Sequence, residues 1–170
     1  MSLRGLAFLW FVALWLAPLS AFAMKITSPS FSNGQPLPRE CGYRYQNRNP
    51  ELRITEVPAQ ARALALIMDD PDAPRGTFVH WLVWNLPPTT SKLSPGELPA
   101  EARTGRNHFG DNRYDGPAPP SGTHRYFFRL FALDSPLALP AGADRKALEK
   151  AMEGHIVATT TLMGTFTAER

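Results

Sequence analysis

The sequence holds a single cysteine, Cys41. An internal disulfide is excluded, and so is a four-cysteine zinc site. Basic runs are missing too. Eighteen Lys and Arg against fifteen Asp and Glu leave a formal charge of only +3. The cations are scattered, so neither a nucleic-acid surface nor an anionic-membrane surface is indicated. Helical periodicity is scarce. Proline supplies 17 of the 170 residues, which breaks interior helix and argues against bundles and coiled coils. Repeats and low-complexity tracts are absent. The long apolar run, Leu6 to Leu19, is too short for a comfortable membrane span.

That run reads as the centre of a secretory signal peptide over residues 1–23. Arg4 supplies the positive start, and Ala21-Phe22-Ala23 matches the small-x-small cleavage rule. Cleavage leaves residues 24–170 as one domain. A chain of that size buries roughly two thirds of its unfolded surface. The expected location is periplasmic or secreted, with no stable membrane span after cleavage. An uncleaved N-terminal anchor is the alternative.

What is present in quantity is strand-like. Ala61 to Asp70 is apolar and stops at Pro71. Phe78 to Leu86 is apolar and aromatic and stops at Pro87. His124 to Leu133 carries four aromatics, and Thr159 to Thr167 is rich in threonine. One helix is predicted near the C-terminus. Asp144 caps it, Ala147, Leu148, Ala151 and Met152 form its apolar face, and Gly154 ends it. Pro87 to Thr123 reads as one long irregular stretch, and a loop of that length is usually functional or carries short elements that the pattern does not reveal. The fold class is mainly β with one short C-terminal helix.

Polar groups stand at the strand ends. Ideal alternation puts Asp70 on a face with Leu64, Leu66 and Met68. It puts His80 with Leu82 and Trp84, and turns Trp81 the other way. His124 and Tyr126 share a face with Phe128 and Leu130, their Cα atoms about 7 Å apart. Imidazoles and a phenol donate hydrogen bonds to an anion such as phosphate, and a carboxylate orients an imidazole.

Longer motifs carry more information. Asp70-Pro71-Asp72-Ala73-Pro74 is followed by Val79-His80-Trp81-Leu82-Val83-Trp84-Asn85. Gly116-Pro117-Ala118-Pro119-Pro120-Ser121-Gly122-Thr123-His124-Arg125-Tyr126 is a proline-rich turn that leads into His-Arg-Tyr. Ala132-Leu133-Asp134 and Gly154-His155-Ile156-Val157-Ala158 follow. Together they resemble the phosphatidylethanolamine-binding protein family, in its bacterial YbhB/YbcL branch of Raf kinase inhibitor-like proteins. The resemblance covers the whole chain after residue 23. It implies a large central antiparallel sheet packed on a smaller one. It also implies a surface pocket for a small anionic ligand, a phosphate or phospholipid head group. On matching positions the ligand-binding residues are Asp70, His80, Gly116, Pro120, His124 and Tyr126. Asp72 and Arg125 belong to the same motifs and are expected to pair as structural support. No catalytic residue, metal or organic cofactor is implied.

The chain also departs from the family pattern. Many bacterial relatives carry Cys-Asp-Gly where this chain has Arg44-Tyr45-Gln46, and a cysteine where it has Ala118. The pocket helix of animal members has no counterpart, so a more open pocket is expected.

Other chemistries compete with blander readings. Asp69, Asp70, Asp72 and His80 as metal ligands would need converging oxygens. Cys41 reads as a free thiol without a role rather than a nucleophile. Ser121 with His124 lacks the nucleophile-elbow context of a hydrolase. His108 reads as a solvated loop residue, with a place at the pocket rim as the alternative. Three functions compete: a binding protein for a small anionic ligand, an inhibitor-like module for a protease or kinase target, and, ranked last, a hydrolase.

Overall fold

The computed structural model describes residues 23–168. The signal-peptide reading lies outside the described residues except for Ala23. Among the described residues, eight strands form two antiparallel sheets, with one α-helix as a flanking layer and one 3-10 turn, Arg39–Cys41. The small sheet pairs β1 (Lys25–Thr27), β2 (Leu52–Thr55) and β5 (Lys92–Leu93) in the order β1-β2-β5. The large sheet contains β3 (Ala63–Asp70), β4 (Phe78–Leu86), β6 (Arg103–Thr104), β7 (Thr123–Leu133) and β8 (Ile156–Thr167). Its order is β6-β4-β3-β7-β8. The expected mainly β fold is the one found. The stretch from Pro87 to Thr123, read as irregular, contains the two-residue strands β5 and β6, too short for periodicity to show.

Strand β3 is buried at every position because both faces of the large sheet are covered. On one face Leu64, Leu66 and Met68 pack with Tyr126, Phe128 and Leu130 against Ile26, Leu52, Ile54 and Leu93 of the small sheet. On the other, Ala65, Ile67, Leu82 and Trp84 meet Leu148 and Met152 of α1 (Arg145–Met152). The helix starts where expected: the Asp144 carboxylate accepts the Ala147 N–H at 2.9 Å. Asp69 points to this helix side. Its buried carboxylate accepts from Arg129 Nε at 3.0 Å and from an Arg145 terminal N–H at 2.8 Å, fastening α1 to the sheet.

Ideal alternation fails in β4. Met68 pairs with Trp81 but Asp69 pairs with Val79, so His80 is an extra residue, a β-bulge. The bulge puts His80 and Trp81 on the same side of the sheet. Trp81 joins the core shared with Met68 and Tyr126, while Leu82 and Trp84 face the helix layer. The expected grouping of His80 with Leu82 and Trp84 is therefore corrected. A second register shift lies between Leu64 and Leu66 of β3. Opposite it, Asn85 has a left-handed φ of 57°. Its side chain exchanges two hydrogen bonds with the Leu137 backbone, at 3.0 and 2.8 Å, which holds a conformation that non-glycine residues rarely adopt.

Candidate ligand-binding site

The bulge brings His80 to the ends of β3 and β7, where Asp70, His124 and Tyr126 stand. A cavity of about 520 Å³ opens there. Asp70, His80, His124, Tyr126 and Pro120 all line it. Gly116 does not. It packs against the Arg39–Cys41 turn, where an added Cβ would overlap the Cys41 carbonyl oxygen. Its part is to let two backbone segments touch behind the cavity.

Each imidazole is held through one nitrogen. Asp115 C=O accepts from His80 Nδ1 at 2.7 Å. Carbonyl oxygen has no proton to give, so Nδ1 carries the hydrogen and Nε2 keeps its lone pair when the ring is neutral. His124 Nδ1 lies 2.7 Å from Asp70 Oδ2, in a pair that is buried on both sides. The other Asp70 oxygen accepts the Asp72 N–H at 2.8 Å. Each carboxylate oxygen thus has a partner. Asp72 itself grips Arg125 through Oδ1 at 2.7 Å and Oδ2 at 2.9 Å. These bonds hold the Asp72 carboxyl at about 2, below the usual carboxylate range. The expected Asp72–Arg125 pair thus ties the loop after β3 to the start of β7. The three neighbouring carboxylates diverge, Asp69 to the helix layer, Asp70 to His124 and Asp72 to Arg125.

Tyr126 is fully buried, and its hydroxyl has no hydrogen-bond partner among the described residues. The Asp70 carboxylate and the Ala118 backbone lie near it without completing a bond. Its ring meets His80 edge-on at 5.2 Å. Burial first, then the charge of Asp70, push the phenol well above its usual value, so it stays a donor. An orphaned buried hydroxyl is costly, by roughly 1–3 kcal/mol.

Burial holds His80 below the ordinary imidazole value of 6.5. The folded chain then binds fewer protons at this site than the unfolded chain. This contribution to stability is present above pH 6.5 and is lost as pH falls toward the folded value.

Sequence reasoning missed most of one wall. Segment 105–116 runs along the outer edge of β4, with Gly105 N–H on Leu82 C=O, His108 N–H on Val79 C=O and Asp115 N–H on His80 C=O. Buried Asn107 organises it. The Asn107 Oδ1 accepts from the Phe109 and Asp111 N–H groups, and Nδ2 donates to Arg113 C=O and to Asp115. The segment delivers His108 and Phe109 to the cavity, where both rings meet Phe78 edge-on, at 5.1 and 5.0 Å. His108 Nδ1 accepts the Val79 N–H at 3.2 Å, so the residue is not simply solvated. The clue was Asn107 itself, a residue able to fold a loop around its own amide.

Cys41 is buried, and burial reinforced by Glu40 raises its thiol to about 12. It is expected to stay unlabelled by a thiol reagent in the native protein and to react fully after denaturation. Rapid native labelling would contradict this burial. Ser121 is exposed on its turn and outside the cavity lining.

Two antiparallel sheets with a polar and aromatic cavity at the ends of the central strands define the class, a two-sheet β domain. The chain belongs to the phosphatidylethanolamine-binding protein family, whose model matches residues 27–167. It is 41% identical over 152 residues to the UPF0098 protein PH1269 of Pyrococcus horikoshii, covering 85% of this chain and 76% of that one. It is 40% identical over 148 residues to a UPF0098 protein of Chlamydia trachomatis, covering 84% and 98%. Among solved structures it is similar to a putative phosphatidylethanolamine-binding protein homolog, CT736 of Chlamydia trachomatis. The TM-score is 0.83 at 39% identity, with 86% of this chain and 99% of that one covered. YbcL of E. coli gives 0.81 at 25% identity, with 87% and 100% covered.

Proposed function

We propose that this protein is a non-enzymatic binding protein that takes a small phosphate-bearing ligand into the cavity and acts outside the cytoplasm. The observation that carries the reading is the buried, unpartnered Tyr126 hydroxyl beside two imidazoles fixed through Nδ1. All three groups have a free position, and all three line one cavity. A phosphoryl oxygen there accepts from Tyr126. Each Nε2 accepts from a P–OH or, once protonated, donates to an oxygen. Binding therefore takes up a proton, and affinity falls as pH rises through the imidazole and phosphate range.

Titration calorimetry with inorganic phosphate tests this on the protein and its Tyr126→Phe variant. The variant is expected to bind roughly ten times more weakly or worse, since one hydrogen bond to a charged group is lost. Its unliganded form is expected to melt at a higher temperature, because the orphaned hydroxyl is gone. Equal phosphate affinity in both proteins would sink the reading.

The pH dependence is a separate check. Melting temperature without ligand is expected to fall from pH 7.5 to pH 5.5 through His80. Phosphate is expected to raise it more at pH 5.5 than at pH 7.5. A phosphate effect that grows with pH would show that the imidazoles do not meet the anion. The inhibitor-like reading, in which the cavity takes a side chain of a protein partner, has no specific observation in its favour.

A further inference from the structure

We infer that the cavity selects a phosphate monoester whose organic part is uncharged and aromatic, over one that carries an ammonium group. This rests on the phosphate reading above and narrows it. Charge comes first. Asp70 is the only carboxylate in the lining, and His124 and the Asp72 N–H hold both its oxygens. An ammonium beside the phosphate finds only this buried acid, whose charge is already matched by His124 and the Asp72 N–H. It also meets Arg75, an exposed cation in the lining with no ion-pair partner among the described residues. A cation placed near it is repelled.

Shape and surface point the same way. At about 520 Å³ the cavity far exceeds a bare phosphate and is in the range of small-molecule sites. Beyond the polar floor it is walled by Phe78 and Phe109. That wall is set before any ligand arrives. Tyr43 stacks on Phe109 with ring centres 4.5 Å apart and planes 4° apart. Phe78 meets Phe109 edge-on at 5.0 Å, and His80 meets it at 5.7 Å. A ligand ring that enters joins a preformed aromatic cluster at little ordering cost. The Arg75 guanidinium also stacks favourably on an aromatic ligand face, whereas it repels an ammonium and so offsets what that cation gains from the faces of Phe78 and Phe109.

Calorimetry with three probes at one pH and ionic strength tests the inference: inorganic phosphate, phenyl phosphate and phosphoethanolamine. Phenyl phosphate is expected to bind about tenfold tighter than inorganic phosphate, and phosphoethanolamine no tighter. Phe109→Leu is expected to bring the phenyl-to-phosphate ratio close to one. Arg75→Gln, at an exposed position, is expected to narrow the gap between phenyl phosphate and phosphoethanolamine. Equal affinity for all three probes, or a preference for phosphoethanolamine, would overturn the inference and leave the phosphate pocket standing. Failure of all three to bind would overturn the phosphate reading, and this inference with it.

Discussion

Gly116→Ala is expected to destabilise the fold by about 3 kcal/mol or more, lowering the melting temperature by roughly 10 °C. The reason is backbone contact rather than lost packing. An added Cβ would overlap the Cys41 carbonyl and stand 3.1 Å from the Tyr43 nitrogen. Neither can swing away as a side-chain tip would. The Cys41 carbonyl accepts from the buried Tyr114 hydroxyl at 2.9 Å, and the Tyr43 N–H donates to Pro117 at 2.9 Å. The Gly116 N–H itself donates to the Asn47 side chain at 2.7 Å. Relief would move all of these together, and with them the Asp115 carbonyl that holds His80. Thermal unfolding followed by circular dichroism checks the outcome. A melting temperature within two degrees of the parent would mean that the two segments separate easily.

Removing the Asp70–His124 pair should show a second large effect, with an instructive asymmetry. His124→Ala leaves a buried carboxylate without its cation or donor, and Asp70→Ala leaves a buried imidazole N–H unpaired. Taking one partner from a buried pair typically costs about 3–5 kcal/mol. Taking both removes the orphan as well as the bond, so the double variant is expected to be no less stable than the worse single one. Phosphate binding is expected to vanish in all three. The carboxylate is negative, and its removal might seem to favour an anion. Orientation outweighs that here, because without Asp70 nothing fixes which nitrogen of His124 faces the cavity. Chemical denaturation gives the stabilities and calorimetry the binding. Additive stability losses would show that the pair is not energetically coupled, and a double variant that still binds phosphate would remove both residues from the site.

The long strands were legible because their signals are local. The Asp70 stop at Pro71, the aromatic run after Thr123 and the Asp144 cap each occupy a few adjacent residues. The floor of the cavity was legible through motifs that place Asp70, His80, His124 and Tyr126 in order. Three things were hidden. The His80 bulge depends on how β4 aligns with β3, and strict alternation cannot show it. The Phe109 wall depends on a loop folded around Asn107, whose partners lie up to 27 residues away in the chain. The seating of Gly116 depends on Cys41, a contact between segments far apart in sequence. Each is a tertiary relation, set by which segments meet rather than by what a segment prefers.

The extra residue in β4 has an implication for how such a pocket is inherited. The side of the sheet that His80 occupies is set by a count of residues as much as by the identity of any of them. The one residue between Val79 and Trp81 is His80, and deleting it would return the strand to regular pairing. Val79 would still stand opposite Asp69 and Phe78 opposite Asp70, but the site would lose an imidazole and the bulge that seats it. Chain length is thus a heritable part of the recognition chemistry here. Substitutions can retune the pocket one group at a time, whereas a single-codon deletion here would remove a side chain and the backbone irregularity that aims it together.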